Sequence, residues 1–209
     1  MNKYEFGNPK ANIVLIQMVD DHDLEGIERE TGLISQHAKQ DFHLMALKVG
    51  NWNNDLSPWQ AKAVFGKEGF GGNADAALKE VLSLCTDRSK TYYIGGYSLS
   101  ALFALWAAYQ TDVFEGVAAA SPSIWFPGFV DYMEKSDLKA SKVYLSLGDK
   151  EKKTRNPVMA TVGDSIRRAH AILQNKQIVT TLEWNPGNHF RDPDIRTAKA
   201  FSWVINQNA

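Results

Sequence analysis

Short, almost uninterrupted apolar runs recur along the chain, and each is followed by a segment with helical periodicity. Continuous apolar runs are typical of strands that are covered on both faces. Because a helical segment separates successive runs, they predict a doubly wound α/β fold with one mostly parallel sheet. The runs occupy residues 12–19, 42–49, 91–96, 114–121, 141–148 and 177–185.

The helical segments fit this sheet. Residues 23–40 place Ile27 and Ile34 on one apolar face, with Asp23 as the expected N-cap. Residues 100–110 are apolar on nearly every side, which predicts a helix buried between the sheet and other elements. A chain of 209 residues is long enough for one core and short for two. We therefore expect a single α/β domain over residues 1–209.

Composition points to no particular class of macromolecular partner. The formal net charge is −1 and no long run carries one sign, so bulk charge gives no reason to expect a nucleic-acid or membrane partner. No run reaches about 20 apolar residues, and the first ten residues do not resemble a signal peptide, so a cytoplasmic location is expected. The single cysteine, Cys85, rules out an internal disulfide. No metal or cofactor is expected, and the oligomeric state is open.

A serine stands between one apolar run and the buried helix that follows it. The segment Gly96-Tyr97-Ser98-Leu99-Ser100 has the form G-x-S-x-S and resembles the nucleophile elbow G-x-S-x-G of the α/β hydrolases. A sharp strand-to-helix turn pushes the hydroxyl out of the sheet and tolerates only small residues two positions away. Ser98 is therefore a candidate nucleophile, although an ordinary serine at a helix N-terminus gives the same pattern.

Candidate partners follow in the order that the hydrolase fold uses, which is serine, acid and then histidine. Asp149 and Glu151 come after the strand at 141–148, and His189 comes after the last strand. All three positions lie at the carboxyl ends of strands, so they should meet at one edge of the sheet. Glu151 is the preferred acid because it stands three residues after Gly148, and Asp149 is the alternative.

The chemistry follows from these roles. His189 takes the proton from Ser98 as the hydroxyl attacks an acyl carbonyl, and the acid orients the imidazole. One oxyanion donor should be the backbone N–H of Leu99, at the start of the helix. The other should come from the loop after the first run, near Asp20, although this loop lacks the glycines usual there.

The chain resembles the esterase D-like family of α/β hydrolases over most of its length. The resemblance rests on residues 92–108, on "GVAAASPSIWF", on "VYLSLGDKE" and on "NPGNHF". It implies a triad of Ser98, Glu151 and His189, and an esterase that cleaves esters or thioesters of small to medium acyl groups.

The resemblance also implies where the substrate pocket lies. It places Trp125 there, and the loop "NWNNDLSPW" adds Trp52 and Trp59. Tyr97, beside the serine, is a further candidate. The chain departs from the family in being short, with the initial antiparallel strands expected to be missing, and in having acids where the oxyanion loop normally has glycine.

Two other functions fit the sequence less well. A hydrolase fold without catalysis, used for binding, is the main alternative, because fold alone does not prove chemistry. A metal hydrolase built on "DDHD" at residues 20–23 is disfavoured, because adjacent side chains in one tight segment rarely face a single ion.

Overall fold

Seven strands form one sheet in the computed structural model, which describes residues 1–207. The sheet order is β1-β3-β2-β6-β7-β8-β9, and every neighbouring pair is parallel except β1 with β3. A separate two-stranded pair is made by β4 and β5. The strands are β1 (Asn2–Gly7), β2 (Ile13–Val19), β3 (Phe42–Lys48), β4 (Gln60–Ala61), β5 (Phe70–Gly71), β6 (Thr91–Tyr97), β7 (Phe114–Ala120), β8 (Lys142–Gly148) and β9 (Val179–Asn185).

Helices cover both faces of this sheet, which confirms the predicted fold class. The helices are α1 (Asp21–His37), α2 (Trp52–Asp55), α3 (Ala74–Leu84), α4 (Ser98–Gln110), α5 (Phe129–Lys135), α6 (Val162–Asn175) and α7 (Pro193–Asn206). One apolar cluster lies between the sheet and α1 with α7, and a larger one lies under α3 to α6. Eleven consecutive residues of α4, 99–109, are buried, as its all-round apolar pattern predicts.

Two expectations about the first 40 residues are wrong. An antiparallel edge strand is present, because β1 pairs with β3 over six residues. Helix α1 is capped by Asp20 and not by Asp23. The Asp20 carboxylate accepts a hydrogen bond from the Asp23 N–H at 2.8 Å, and the Asp20 N–H donates to the Asp23 carboxylate at 3.2 Å. This reciprocal pair is a capping box with aspartate in place of glutamate.

The parallel strands bring distant parts of the chain to one place. The carboxyl ends of β2, β6, β7, β8 and β9 lie at the same edge, and the segments that follow them begin at residues 20, 98, 121, 149 and 186. Ligands bind at this edge in open α/β sheets. Separately, none of the helices described within residues 1–207 has the length and apolar character needed to cross a membrane.

Candidate active site

The turn from β6 into α4 holds Ser98 in an unusual backbone conformation. Ser98 has a φ of 56°, in the left-handed region that non-glycine residues rarely occupy, at a cost of about 1–2 kcal/mol. Gly96 has a φ of 153°, and a Cβ there would stand 2.0 Å from the Ser100 hydroxyl oxygen. Ser100 is buried and donates to the carbonyl of Met18 on β2, at 2.7 Å. A serine thus fits the second small position of the motif by bonding to the neighbouring strand.

The hydroxyl of Ser98 faces an imidazole from the far end of the chain. Ser98 Oγ lies 3.0 Å from His189 Nε2, although β9 and its loop come long after α4 in sequence. The other ring nitrogen, His189 Nδ1, lies 2.7 Å from Glu151 Oε2. Hydroxyl, imidazole and carboxylate therefore form one continuous hydrogen-bonded chain, with both links at hydrogen-bonding distance.

Of the two candidate acids, the structure brings Glu151 to the histidine. Its side chain is almost fully buried, and its second oxygen accepts from the Gly148 N–H at 2.6 Å and from the Ser121 hydroxyl at 2.9 Å. Asp149 turns the other way and accepts from the Gly187 N–H at 2.8 Å. Asp149 thus supports the backbone of the loop that carries His189, and its carboxylate bonds to that backbone and not to the ring.

A buried arginine that the sequence analysis did not single out ties these groups together. Arg196, on α7, is 2% exposed and donates to Glu151 Oε1 at 2.9 Å. The same guanidinium donates to the hydroxyl of Tyr97 at 3.0 Å and to the carbonyls of Pro186 and Asn188 at 3.1 and 3.0 Å. Arg196 therefore fixes both the acid and the loop that leads to the histidine.

We expect Arg196→Met to lower the free energy of unfolding by about 3 kcal/mol, because it leaves a buried carboxylate without its cationic partner. Turnover should fall as well, since the loop carbonyls lose their donors. Urea denaturation measures the first effect. Lys199→Met on the same helix is the matched control, because Lys199 forms an exposed pair with Glu183 that contributes about 1 kcal/mol or less. Equal losses in both variants would contradict a special role for Arg196.

The segment after β7 supplies two serines to the site. Ser121, with a φ of 44°, bonds to Glu151, while Ser123 Oγ lies 3.2 Å from Ser98 Oγ. The Ser123 N–H also donates to the Ser98 carbonyl at 3.0 Å. Ser123 is 2% exposed, so its hydroxyl is confined beside that of Ser98. One short turn therefore contacts both ends of the hydrogen-bonded chain.

The two predicted oxyanion donors differ in their surroundings. Leu99 lies in the first turn of α4, where backbone N–H groups have no acceptor within the helix. The N–H of Asp20, in contrast, already donates to the Asp23 carboxylate, so the expectation that it is a free donor is wrong. Within residues 1–207, no group of three or more His, Cys, Asp or Glu side chains is arranged to hold a metal ion.

Burial raises the pKa of the Asp23 carboxyl to about 6, with the nearby charge of Asp20 acting in the same direction. A carboxyl with a raised pKa in the folded state stabilises the fold at low pH, and this contribution is lost as pH rises through about 6. We expect Asp23→Asn to remove that loss. The variant should gain about 1.4 kcal/mol over the wild type on going from pH 5 to pH 8.

Urea denaturation of both proteins at several pH values tests this prediction. Glu30, whose pKa burial raises well above the usual range, contributes a similar slope, but it is present in both proteins. Because the charge of Asp23 also raises the pKa of Glu30, the difference between their unfolding free energies reports Asp23 together with this coupling. A difference that does not change with pH would contradict the prediction.

A pocket of about 300 Å³ opens beside Ser98 and His189. Trp125 and Trp52 line it, and among residues 1–207 no carboxylate or amine side chain lies in its wall. The prediction for Trp59 is wrong, because this ring packs against other aromatic rings and its indole N–H donates to the carbonyl of Pro127. The other lining residues are Phe65, Phe70, Leu99, Ser123, Met159 and Phe190.

Tyr97 is placed differently from the other predicted pocket residues. Its ring lies 5.1 Å from the His189 ring and lines a smaller cavity of about 210 Å³, which adjoins the 300 Å³ pocket at Ser98 and His189. Its hydroxyl donates to the His189 carbonyl at 2.8 Å. Tyr97 therefore orients the histidine loop and does not line the 300 Å³ pocket.

Sequence signals for the missed residues exist. Arg196 precedes Ala200 and Val204 at helical spacing, so it is a lone charge on the buried stripe of α7. Ser121 and Ser123 directly follow β7 at the edge where ligands bind. In each case a polar residue occupies a position whose neighbours are buried, which indicates a bonded partner.

Solved structures share this fold. An IroE-like serine hydrolase from Shewanella oneidensis superposes with a TM-score of 0.72 and 15% identity, over 94% of this chain and 71% of that one. The siderophore hydrolase EstA from Aspergillus nidulans superposes with a TM-score of 0.71 and 15% identity, over 100% of this chain and 95% of that one. An enterobactin esterase from Shigella flexneri superposes with a TM-score of 0.68 and 12% identity, over 99% of this chain and 56% of that one.

No protein-family model matches the sequence, and no curated protein does. The likeness to solved structures, at 15% identity or less in these three cases, therefore concerns the arrangement of the backbone. The chain has the α/β fold that serine hydrolases and esterases of known structure use.

Proposed function

We propose that the chain is a serine hydrolase that cleaves a carboxylic ester or thioester of a small to medium acyl group. The observation that carries this proposal is the pair of contacts at His189, 3.0 Å to Ser98 and 2.7 Å to Glu151. They join a hydroxyl, a base and an acid at the edge of the sheet where ligands bind.

In this mechanism His189 Nε2 accepts the Ser98 proton while Oγ attacks the acyl carbonyl. Glu151 holds the proton on Nδ1 and stabilises the imidazolium that forms. The imidazolium then protonates the leaving group, and an acyl-enzyme remains. Water, deprotonated by the same imidazole, releases the acid and restores Ser98.

Two backbone groups are assigned to the developing oxyanion. One is the N–H of Leu99, which has no acceptor in its own helix and follows the nucleophile directly. The second is assigned to the first turn of α1 beyond Asp20, at Asp21 or His22, because the Asp20 N–H is held by Asp23. The helix dipoles of α4 and α1 favour negative charge at these positions.

The size and lining of the pocket support the substrate class. The pocket of about 300 Å³ is walled by Trp52, Phe70 and Trp125, and its size suits a short aliphatic chain or a single ring. Its lining, within residues 1–207, contains no carboxylate or amine side chain that could pair with an ionised acyl group. Two proteins that share the fold are a siderophore hydrolase and an enterobactin esterase, and the second supports an ester as the bond cleaved.

A series of p-nitrophenyl esters of increasing acyl length tests the proposal. We expect turnover to be highest for short and medium acyl chains and to fall once the chain outgrows the pocket. Circular dichroism establishes that the protein used is folded. A folded protein that hydrolyses no ester or thioester of any length would favour the alternative, a binding protein on a hydrolase fold.

A further inference from the structure

The mouth of the 300 Å³ pocket is bordered by large apolar side chains that water reaches. Phe190, next to His189, is 87% exposed, Phe65 is 45% exposed and Val158 is 39% exposed. Phe65 and Phe190 line the pocket, and Val158 precedes the lining residue Met159. A contact between the Asn156 amide and the Val64 carbonyl joins the loop of Phe65 to that of Val158. We call Phe65, Val158 and Phe190 the apolar rim.

Exposed lysine and arginine side chains lie along the same loops. None of these cations takes part in an ion pair or side-chain hydrogen bond to any residue that the structure describes. They are Lys62, Lys67, Lys150, Lys152, Lys153 and Arg155, which we call the basic ring.

Few carboxylates offset these charges. Glu68 and Asp149 are exposed in the same two loops and accept hydrogen bonds from Asn51 and Gly187. Glu151 is buried and paired with Arg196. The two loops therefore carry a clear positive excess, although the whole chain has a net charge of −1. The net charge of the whole chain therefore does not reveal the positive charge of these two loops.

We propose that the apolar rim and the basic ring dock the protein on an anionic lipid surface, with the pocket mouth facing the lipid. Peripheral binding grows with the apolar area buried in the interface and with the attraction of basic residues to anionic lipids, and both contributions occur here on the same loops. Anionic headgroups attract each nearby Lys or Arg. Exposed Phe and Val side chains gain by leaving water at the interface.

The opposite side of the site limits how the protein docks. The first two turns of α1 present the exposed carboxylates of Asp21 and Glu25, while the carboxylate of Asp23 is partly buried and bonds to the Asp20 N–H. An anionic surface repels these groups. Docking is therefore confined to the loops at residues 62–69 and 150–158, which tilts the pocket mouth toward the lipid and leaves α1 facing water.

Sedimentation with lipid vesicles tests this proposal without any need for hydrolysis. We expect binding to vesicles of phosphatidylcholine with phosphatidylserine, weak binding to phosphatidylcholine alone, and loss of most binding at high salt. The Ser98→Ala protein should bind as the wild type does. Vesicle binding and ester turnover are separate measurements, so either can be observed without the other. The test of lipid docking is therefore distinguishable from the test of the proposed function.

Matched variants identify the groups involved. Lys152→Ala with Lys153→Ala should lower the partition onto anionic vesicles by about tenfold or more. The control is Lys10→Ala with Lys39→Ala, because these exposed lysines lie in loops at the amino ends of β2 and β3, away from the pocket. Val158→Ser should weaken binding by about fivefold, since it removes an inserted apolar group.

Two results would overturn the proposal. One is equal partition onto both kinds of vesicle, or equal losses in the Lys152/Lys153 variant and its control. The other is absence of vesicle binding together with a raised KM of the Lys152/Lys153 variant for a soluble ester that bears a carboxylate. That result would assign the basic ring to a soluble anionic substrate.

Discussion

Ser98→Ala is expected to lower kcat for a short p-nitrophenyl ester by about 10⁵-fold, because no other hydroxyl within residues 1–207 bonds to the His189 imidazole. Ser98 Oγ lies 3.0 Å from His189 Nε2, at the left-handed bend that turns it out of the sheet. Stability should not fall, since alanine removes one hydroxyl and a left-handed backbone strains both residues alike.

Ser123→Ala is the matched control for this substitution. Ser123 Oγ lies 3.2 Å from Ser98 Oγ, and the variant removes the same atom from a neighbouring buried position. We expect it to lower turnover far less, by about tenfold, because it removes a hydrogen bond to the nucleophile and not the nucleophile. Retained turnover in Ser98→Ala, with loss in Ser123→Ala, would transfer the nucleophile role to Ser123.

Glu151→Gln is expected to lower kcat by about 10⁴-fold with little change in the shape of the site. The oxygen that faces Arg196 also accepts from Ser121 and Gly148, so this position requires an acceptor. The amide NH₂ of glutamine must therefore face His189 Nδ1. That contact forces the proton onto Nε2, where the ring can no longer accept the proton of Ser98.

Asp149→Asn is the matched comparison, because it makes the same chemical change two residues away. Its oxygen can still accept from the Gly187 N–H, a bond of 2.8 Å in the wild type. We expect turnover within about threefold of the wild type. Steady-state kinetics of both variants with one ester measures the difference. Loss of activity in Asp149→Asn alone would contradict the assignment of Glu151 as the acid.

The sheet and the bend at Ser98 could be predicted because their signals are local. Continuous apolar runs indicate strands buried on both faces, and small residues around Ser98 indicate a tight turn. Once the sheet is parallel, its topology places the loops at 149–151 and 186–190 on the same edge as Ser98. The geometry that brings Glu151 and His189 within hydrogen-bonding distance follows from that arrangement.

What could not be predicted depends on contacts between distant segments. Nothing near Arg196 in sequence reveals that it meets Glu151 and the carbonyls of the histidine loop. Trp59 stands in the same loop as Trp52, but it packs against the aromatic rings of α5. The N–H of Asp20 follows the expected strand, yet a carboxylate three residues later satisfies it. Each outcome was decided by a competing hydrogen bond or packing partner.

The most direct test of the central claim is to label the folded protein with a fluorophosphonate and to map the adduct by mass spectrometry. The account predicts one adduct, on Ser98, that forms in the wild type and is lost in His189→Ala and after denaturation. An adduct on Ser123, or no adduct on a folded protein, would contradict the claim that His189 activates the hydroxyl of Ser98.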